Sequence, residues 1–258
     1  MSSWGVTIHS TLPLLREAKR YIAAGVKTLQ IMNGDPTRSG SRLSMADRMG
    51  LRRLIRKHRL HVYIHAKFTW NTCGNIHIAK AVLQPDLDLC KLIGGRAVVI
   101  HSGHPKAGND DLCVSAVQKV LSFAAQSGTR VLLETPANAD NEVLTCLEDL
   151  ASVVSQFPAA AIGVCIDTAH VFNVGYDLRT VKHVDRFLIL VDTLLPDRVG
   201  LIHLNDTPRT CGENGEDRHM RLTDGNIFTT PVLEHFLERT KHIDRVIEWP
   251  SDSKRRQD

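Results

Sequence analysis

Eight short runs of β-branched and aliphatic residues recur along the chain, each separated from the next by a longer stretch with apolar residues at helical spacing. This alternation constrains the fold more than any other feature. A strand, a helix and another strand make a parallel pair, and a parallel sheet needs helices on its faces. The pattern predicts strands at Trp4–His9, Val26–Met32, His61–His65, Arg96–His101, Arg130–Glu134, Ile162–Asp167, Val199–Asn205 and Arg245–Glu248, with a helical segment between each consecutive pair. Helix ends are marked as well. Leu14, Leu15, Ala18, Tyr21 and Ile22 keep helical spacing and stop at Gly25, a C′ glycine. Ser44 and Asp47 form a capping box ahead of Leu51, Leu54 and Ile55. A further helix starts near Asp110, carries Val117, Val120, Leu121 and Ala124 on one face, and ends at Gly128.

Eight such units fit an α/β fold of the closed (β/α)8 TIM-barrel type, filling residues 1–250 as one domain and leaving 251–258 as a polar tail. A chain of 258 residues with 43% hydrophobic content can bury one large core. An open doubly wound sheet is the rival, but no G-x-G-x-x-G follows the first strand. A solenoid would repeat consensus residues from unit to unit, and these units share none. Lys+Arg exceed Asp+Glu only by 32 to 28, so charge alone leaves the partner open. The six cysteines form no C-x-x-C pair and read as reduced, mostly buried thiols. The N-terminus lacks the charged and apolar regions of a signal peptide, and no apolar run approaches a membrane span. The expectation is a soluble, intracellular protein of cytoplasm or nucleus, monomeric, without membrane contact.

The chemistry is concentrated at the strand ends. His65, His101, Glu134, Asp167, His203 and Glu248 each terminate, or nearly terminate, one of the apolar runs. In a parallel barrel all C-terminal strand ends open onto one face, so these six side chains converge on one pocket. A lone strand-end Asp or His ordinarily caps the next helix. Six together in an apolar mouth are costly unless cations or tight pairing compensate them. Three His, two Glu and one Asp suit Zn²⁺ or another borderline transition metal, with Mn²⁺ as a possible substitute, and the set is too large for one ion. Asp167-Thr-Ala-His170 adds a His one turn after a strand end, and Asp217-Arg-His219 adds a D-x-H pair in the long loop after strand seven. A D-x-H pair is weak by itself and stronger with His170 beside it.

The run Val164-Cys-Ile-Asp-Thr-Ala-His-Val-Phe-Asn-Val-Gly-Tyr-Asp-Leu-Arg-Thr180 resembles the signature of the endonuclease IV family (AP endonuclease family 2) of the xylose isomerase-like TIM-barrel superfamily. His203-Leu-Asn-Asp206, followed by Asp217-Arg-His219 and Asp224-Gly-Asn-Ile227, is similar to that family's next motif in order and spacing. The resemblance runs from about residue 4 to 250 and is weakest over the first 60. It implies three zinc ions: one on His65, His101 and Glu134; one sharing Glu134 and adding Asp167, His203 and Glu248; one on His170, Asp217 and His219. It also implies an abasic-site endonuclease of base-excision repair, which hydrolyses the phosphodiester of double-stranded DNA 5′ to the abasic sugar, with 3′-end cleaning as a related activity. Glu134 and Glu248 would then be catalytic, orienting the attacking water.

The departures from the family pattern fall where DNA would be handled. Thr7 stands where the family has a His, although His9 is near. The segment after the first metal His, which in the family wedges into the duplex, reads Ala66-Lys-Phe-Thr69, and Arg38 lies in the region of the family's intercalating Arg. Lys67, Phe68 and Arg218 are the expected DNA contacts, with Lys106, Arg179 and Arg209 as further cations near the mouth. Two other classes fit the strand-end pattern: a divalent-metal sugar isomerase or epimerase on a related barrel, and a DNA-damage-sensing barrel without catalysis. The isomerase has no need of the D-x-H pair, and a sensor has no need of a complete ligand set.

Overall fold

The computed structural model describes residues 4–10, 12–33, 43–67, 71–105, 109–137, 141–213 and 217–248. Eight strands, β1 (Trp4–His9), β2 (Thr28–Met32), β3 (His61–His65), β4 (Ala97–Ile100), β5 (Val131–Glu134), β6 (Ile162–Asp167), β7 (Val199–His203) and β8 (Arg245–Ile247), pair in parallel and in chain order. Pairing of β8 with β1, Trp4 opposite Arg245, closes the barrel. The helices between them are α1 (Leu14–Ala23), α2 (Met45–His58), α3 (Ile76–Ile93), α4 (Asp110–Gln126), α5 (Leu147–Val154), α6 (Thr168–Asn173), α7 (Val181–Leu194) and α8 (Thr230–Arg239).

Local sequence explains the boundaries. Gly25 takes φ 87°, and the N–H groups of Gly25 and Val26 bond back to Ile22 and Tyr21. This Schellman closure of α1 uses Val26, so β2 begins at Thr28 rather than at Val26. The Ser44–Asp47 capping box is formed reciprocally at the start of α2. Helix α6 follows β6 without a loop because the Asp167 carboxylate accepts from the N–H groups of Ala169 at 2.7 Å and His170 at 3.1 Å.

The core has two compartments. Alternate strand residues such as Leu29, Ile31, Val62 and Ile64 face the helices in the larger one. Tyr63, Ala97, Val99, Leu132, Cys165, Leu201 and Val246 fill the barrel's interior, so the barrel is packed and not a pore. Below that layer, at the N-terminal mouth, Asp244 accepts from Tyr63 Oη at 2.8 Å and from His61 Nδ1 at 2.8 Å. Arg96 Nη2 donates to the other His61 nitrogen at 2.6 Å, which sets the ring's tautomer. Arg130 lies across the same end beside Gly163, where a Cβ would come within 2.5 Å of the Arg198 backbone carbonyl, so glycine is the residue that fits.

One expectation is corrected. Cys73 and Cys113 are joined in a disulfide, with Cα atoms 4.4 Å apart, while Cys90, Cys146, Cys165 and Cys211 are free. Their separation of 40 residues hides the pairing in the sequence, since α3 and β4 lie between the segment leading into α3 and the first turn of α4. Among the described residues no helix is long and apolar enough to cross a membrane. The tail 251–258 lies outside the described residues.

Candidate metal centre

Strands β3, β5, β6 and β7 end on His65, Glu134, Asp167 and His203, while His101 and Glu248 follow β4 and β8 directly. The barrel therefore delivers all six to its C-terminal mouth, and His65, Glu134, Asp167 and His203 are buried there. Glu134 sits between two groups. Its Oε2 is 3.1 Å from His65 Nε2 and 3.3 Å from His101 Nε2, while its Oε1 is 2.9 Å from His203 Nδ1. Beyond it, His203 Nδ1 lies 3.3 Å from Glu248 Oε2 and 3.8 Å from Asp167 Oδ2. A third group centres on Asp217, whose Oδ1 is 3.2 Å from His170 Nε2 and 2.9 Å from His219 Nε2. Asp167 Oδ2 also approaches this group, 3.7 Å from His219 Nε2. His65, His101 and Glu134 have ligand atoms within 4.8 Å of one another, as do Glu134, Asp167, His203 and Glu248, and as do Asp167, His170 and His219. Each set could hold a metal ion.

The hydrogen bonds fix which ring nitrogens face inward. His65 Nδ1 donates to Ala66 O at 2.7 Å and His170 Nδ1 to Thr135 O at 2.8 Å, so each presents an Nε2 lone pair to the carboxylates. His170 Nε2 is buried and makes no hydrogen bond. A lone pair aimed at a carboxylate is repulsive unless a proton or a metal cation lies between them. Without metal, protons take that place. Burial pulls the His170 and His203 rings down, but Asp167, Asp217 and Glu134 around His170, and Cys165 followed by Glu248 and Glu134 around His203, more than offset it and hold both well above the ordinary value. His219 is likewise lifted to about 9, burial opposing and Asp217 and Asp167 prevailing. Burial opposes ionisation of Glu134 too, yet His203 and His101 hold it well below its ordinary value. For Asp167 burial wins and the carboxyl is raised. The rings stand close, with His65 centred 5.3 Å from His101 and 5.7 Å from His203. Neutral imidazoles around a divalent ion satisfy the same carboxylates without crowding several imidazolium charges together. The donor set fits metal.

The third group arrives on a loop, and its position has a cause. Asp206, buried after β7, accepts through Oδ1 from the N–H groups of Thr207 and Ile227, each at 2.9 Å, and through Oδ2 from Thr223 at 3.1 Å. Its carbonyl accepts from Met220 N–H at 2.7 Å. One carboxylate thus gathers the loop that carries Asp217 and His219.

Several site residues escape sequence reasoning. Gln30 reaches both His203 and Glu248. Asn205 Nδ2 donates to Asp167 Oδ2 at 2.6 Å, and its Oδ1 accepts from Glu248 N–H at 3.0 Å. Glu142 Oε1 stands 3.7 Å from His101 Nδ1. For Asn205 the signal was present, inside the His203-Leu-Asn-Asp206 motif. The expected DNA contacts are placed unevenly. Lys67 is half-buried just past β3, and Arg218 is exposed between Asp217 and His219. Arg179 is engaged by Asp177 at 2.8 Å, and Arg209 by Glu213 at 3.2 Å. Phe68, Thr69, Arg38 and Lys106 lie outside the described residues.

A sequence model of the xylose isomerase-like TIM barrel family matches residues 18–258. A probable endonuclease 4 of Methanoculleus marisnigri is 32% identical over 183 residues, which cover 68% of this chain and 64% of that protein, so this match spans under two thirds of the relative. A probable endonuclease 4 of Akkermansia muciniphila is 31% identical over 242 residues, 84% of this chain and 85% of the relative. The crystal structure of endonuclease IV from Thermus thermophilus superposes with a TM-score of 0.81 at 25% identity, covering 96% of this chain and 92% of that one. The chain belongs to the xylose isomerase-like TIM barrel family and, within it, to the endonuclease IV family.

Proposed function

We propose that this protein is an abasic-site endonuclease that hydrolyses the phosphodiester of double-stranded DNA 5′ to an abasic sugar, with 3′-end cleaning as a related activity, in base-excision repair. The observation that carries the reading is the third group, His170, Asp217 and His219, standing beside the strand-end cluster with Asp167 next to both. The residues assigned to metal are His65, His101 and Glu134 for one ion; Glu134, Asp167, His203 and Glu248 for a second; and His170, Asp217 and His219 for a third. Zinc is the favoured metal, three ions per chain, with Mn²⁺ as substitute; the donor chemistry of imidazole with carboxylate supports that choice.

Bound metal supplies an activated water near neutral pH and charge neutralisation at the phosphodiester. The chain's own part is orientation. Glu134 divides its oxygens between two groups, and Glu248 turns Oε2 toward the cluster while Gln30 holds Oε1. Lys67, Phe68 and Arg218 are assigned to DNA, the two cations to phosphates and Phe68 to the disturbed duplex. Residues 1–250 act as one unit, since every described strand belongs to one barrel. The protein is taken to work as a monomer inside the cell, in cytoplasm or nucleus. A sugar isomerase on the same barrel leaves the Asp217–His219 pair without a task.

The test is cleavage of a labelled duplex carrying one tetrahydrofuran abasic analogue, which resists β-elimination, by the wild type, Asp217→Ala and Glu134→Ala, with metal analysis of each. Zinc-dependent incision on the 5′ side, lost in both variants, is the expected result. A metal-loaded wild type that leaves the duplex uncut sinks the reading.

A further inference from the structure

We propose that Gln30 is a positioning residue of the metal centre, fixing the tautomer of His203 and the orientation of Glu248 through the two ends of one amide. The inference rests on the assignment of His203 and Glu248 as metal ligands.

Strand parity places Gln30 inside the barrel. Its neighbours Leu29 and Ile31 face the helices, so Gln30 and Thr28 point the other way, and Gln30 is fully buried. A buried amide is costly unless both its ends are paired. Here they are. Gln30 Nε2 donates to Glu248 Oε1 at 2.7 Å, and Gln30 Oε1 stands 2.8 Å from His203 Nε2. The carboxylate can only accept, so the NH₂ end must face Glu248 and the carbonyl end must face His203. It follows that His203 carries its proton on Nε2. The lone pair is then on Nδ1, the nitrogen 2.9 Å from Glu134 Oε1 and 3.3 Å from Glu248 Oε2. On Glu248, the Gln30 bond occupies Oε1 and leaves Oε2 turned to the cluster. Gln30 therefore sets which nitrogen of His203 faces the metal and holds Glu248 Oε1, while Asn205 Nδ2 donates to Glu248 Oε2 at 3.2 Å.

A third partner explains how the amide reaches both. Thr7 is the register partner of Gln30 across β1 and β2, and its Oγ1 accepts from Gln30 Nε2 at 3.3 Å. The short hydroxyl at position 7 leaves the barrel interior open to the longer Gln30 amide.

The experiment compares zinc-loaded wild type with Gln30→Met, which keeps length and loses both hydrogen bonds, and Gln30→Glu, which keeps an acceptor for His203 and loses the donor to Glu248. Zinc retention against a graded chelator should fall about 10- to 100-fold in Gln30→Met. Gln30→Glu should also lose zinc affinity, because two carboxylates then face each other. On the tetrahydrofuran duplex, kcat should fall with KM for DNA unchanged, since Gln30 is fully buried inside the barrel. In zinc-loaded wild type, ¹⁵N NMR should show His203 protonated at Nε2; this measurement needs no variant and stands even if Gln30→Met fails to fold. Protonation at Nδ1, or a folded Gln30→Met that retains zinc like the wild type, overturns the proposal. A wild type that holds zinc but leaves DNA uncut overturns the endonuclease reading alone, and the zinc-retention comparison then still decides the role of Gln30.

Discussion

At the N-terminal mouth of the barrel, Asp244 is met by Tyr63 and His61, and His61 is backed by Arg96, so that each polar group points at a partner of the protein's own making. At the C-terminal mouth, His65, His101, His170, His203 and His219 crowd around Glu134, Asp167, Asp217 and Glu248, with inward lone pairs facing carboxylates. The first end is finished by folding; the second gathers donors that could hold metal. The same strands run through both, which shows how a barrel separates stability from chemistry along its axis. The cost of the crowded end is held in place by the packed layer from Tyr63 to Val246 between them.

The contrast can be broken by substitutions at each end. The largest effect is expected for Glu134→Gln: incision of the abasic-analogue duplex should drop by more than about 100-fold as metal is lost from two groups. The thermal midpoint of the metal-free protein should fall as well, because His203 and His101 hold Glu134 ionised and lose that partner. An unchanged midpoint in the metal-free variant would show that these pairs add nothing to the fold. Next, Cys73→Ser with Cys113→Ser should lower stability by about 2–4 kcal/mol in urea unfolding relative to the oxidised protein. Thiol counting on denatured, unreduced protein should find the four free cysteines and not six. At the lower mouth, Asp244→Ala should cost about 1–3 kcal/mol by stranding the Tyr63 and His61 donors. Zinc content and incision should stay at the wild-type level; loss of either would mean the two ends are coupled.

The smallest effect concerns pH. His219 in the metal-free protein is lifted from 6.5 to about 9, so the folded state binds that proton more tightly than the unfolded chain does. Its contribution is complete below pH 6.5 and is lost as pH rises through about 9. The metal-free thermal midpoint should therefore decline over this window, measured by scanning calorimetry, whereas the zinc-loaded protein should decline less because coordination replaces the proton. Tyr63, at the other mouth, is raised by burial and then by Asp244 above its ordinary 10.0, so it adds nothing to the decline in that range. His170 and His203, also held above their ordinary value, share in this decline, and equal declines with and without zinc would show that the protons on these three rings are not what the metal displaces.

The sequence made the barrel legible because each unit carries its own punctuation, such as the Gly25 closure and the Ser44 capping box. The strand-end cluster was legible for a related reason: a charged or imidazole group at the end of an apolar run is a local contradiction that only a shared mouth resolves. Gln30 was not legible. An amide within a buried strand has no periodicity to violate, and both of its main partners lie far along the chain, Glu248 being 218 residues away. Asp206 was hidden differently, since a carboxylate that gathers backbone N–H groups reads, in a sequence, like any other loop aspartate. The disulfide was hidden by its 40-residue separation and by the absence of any motif around either cysteine.

The hydrogen bond between β2 and the residue after β8 has a consequence for how the molecule comes into being. Gln30 is made early in synthesis, and its partner Glu248 is added only after all eight strands have been synthesised. Until that moment the growing chain has His65, His101 and Glu134, the set proposed for one ion, but lacks the Glu248 that the second proposed set needs. On that assignment a full metal complement would certify completed topology. A truncated or misclosed chain would be told apart from the finished one by what it fails to carry.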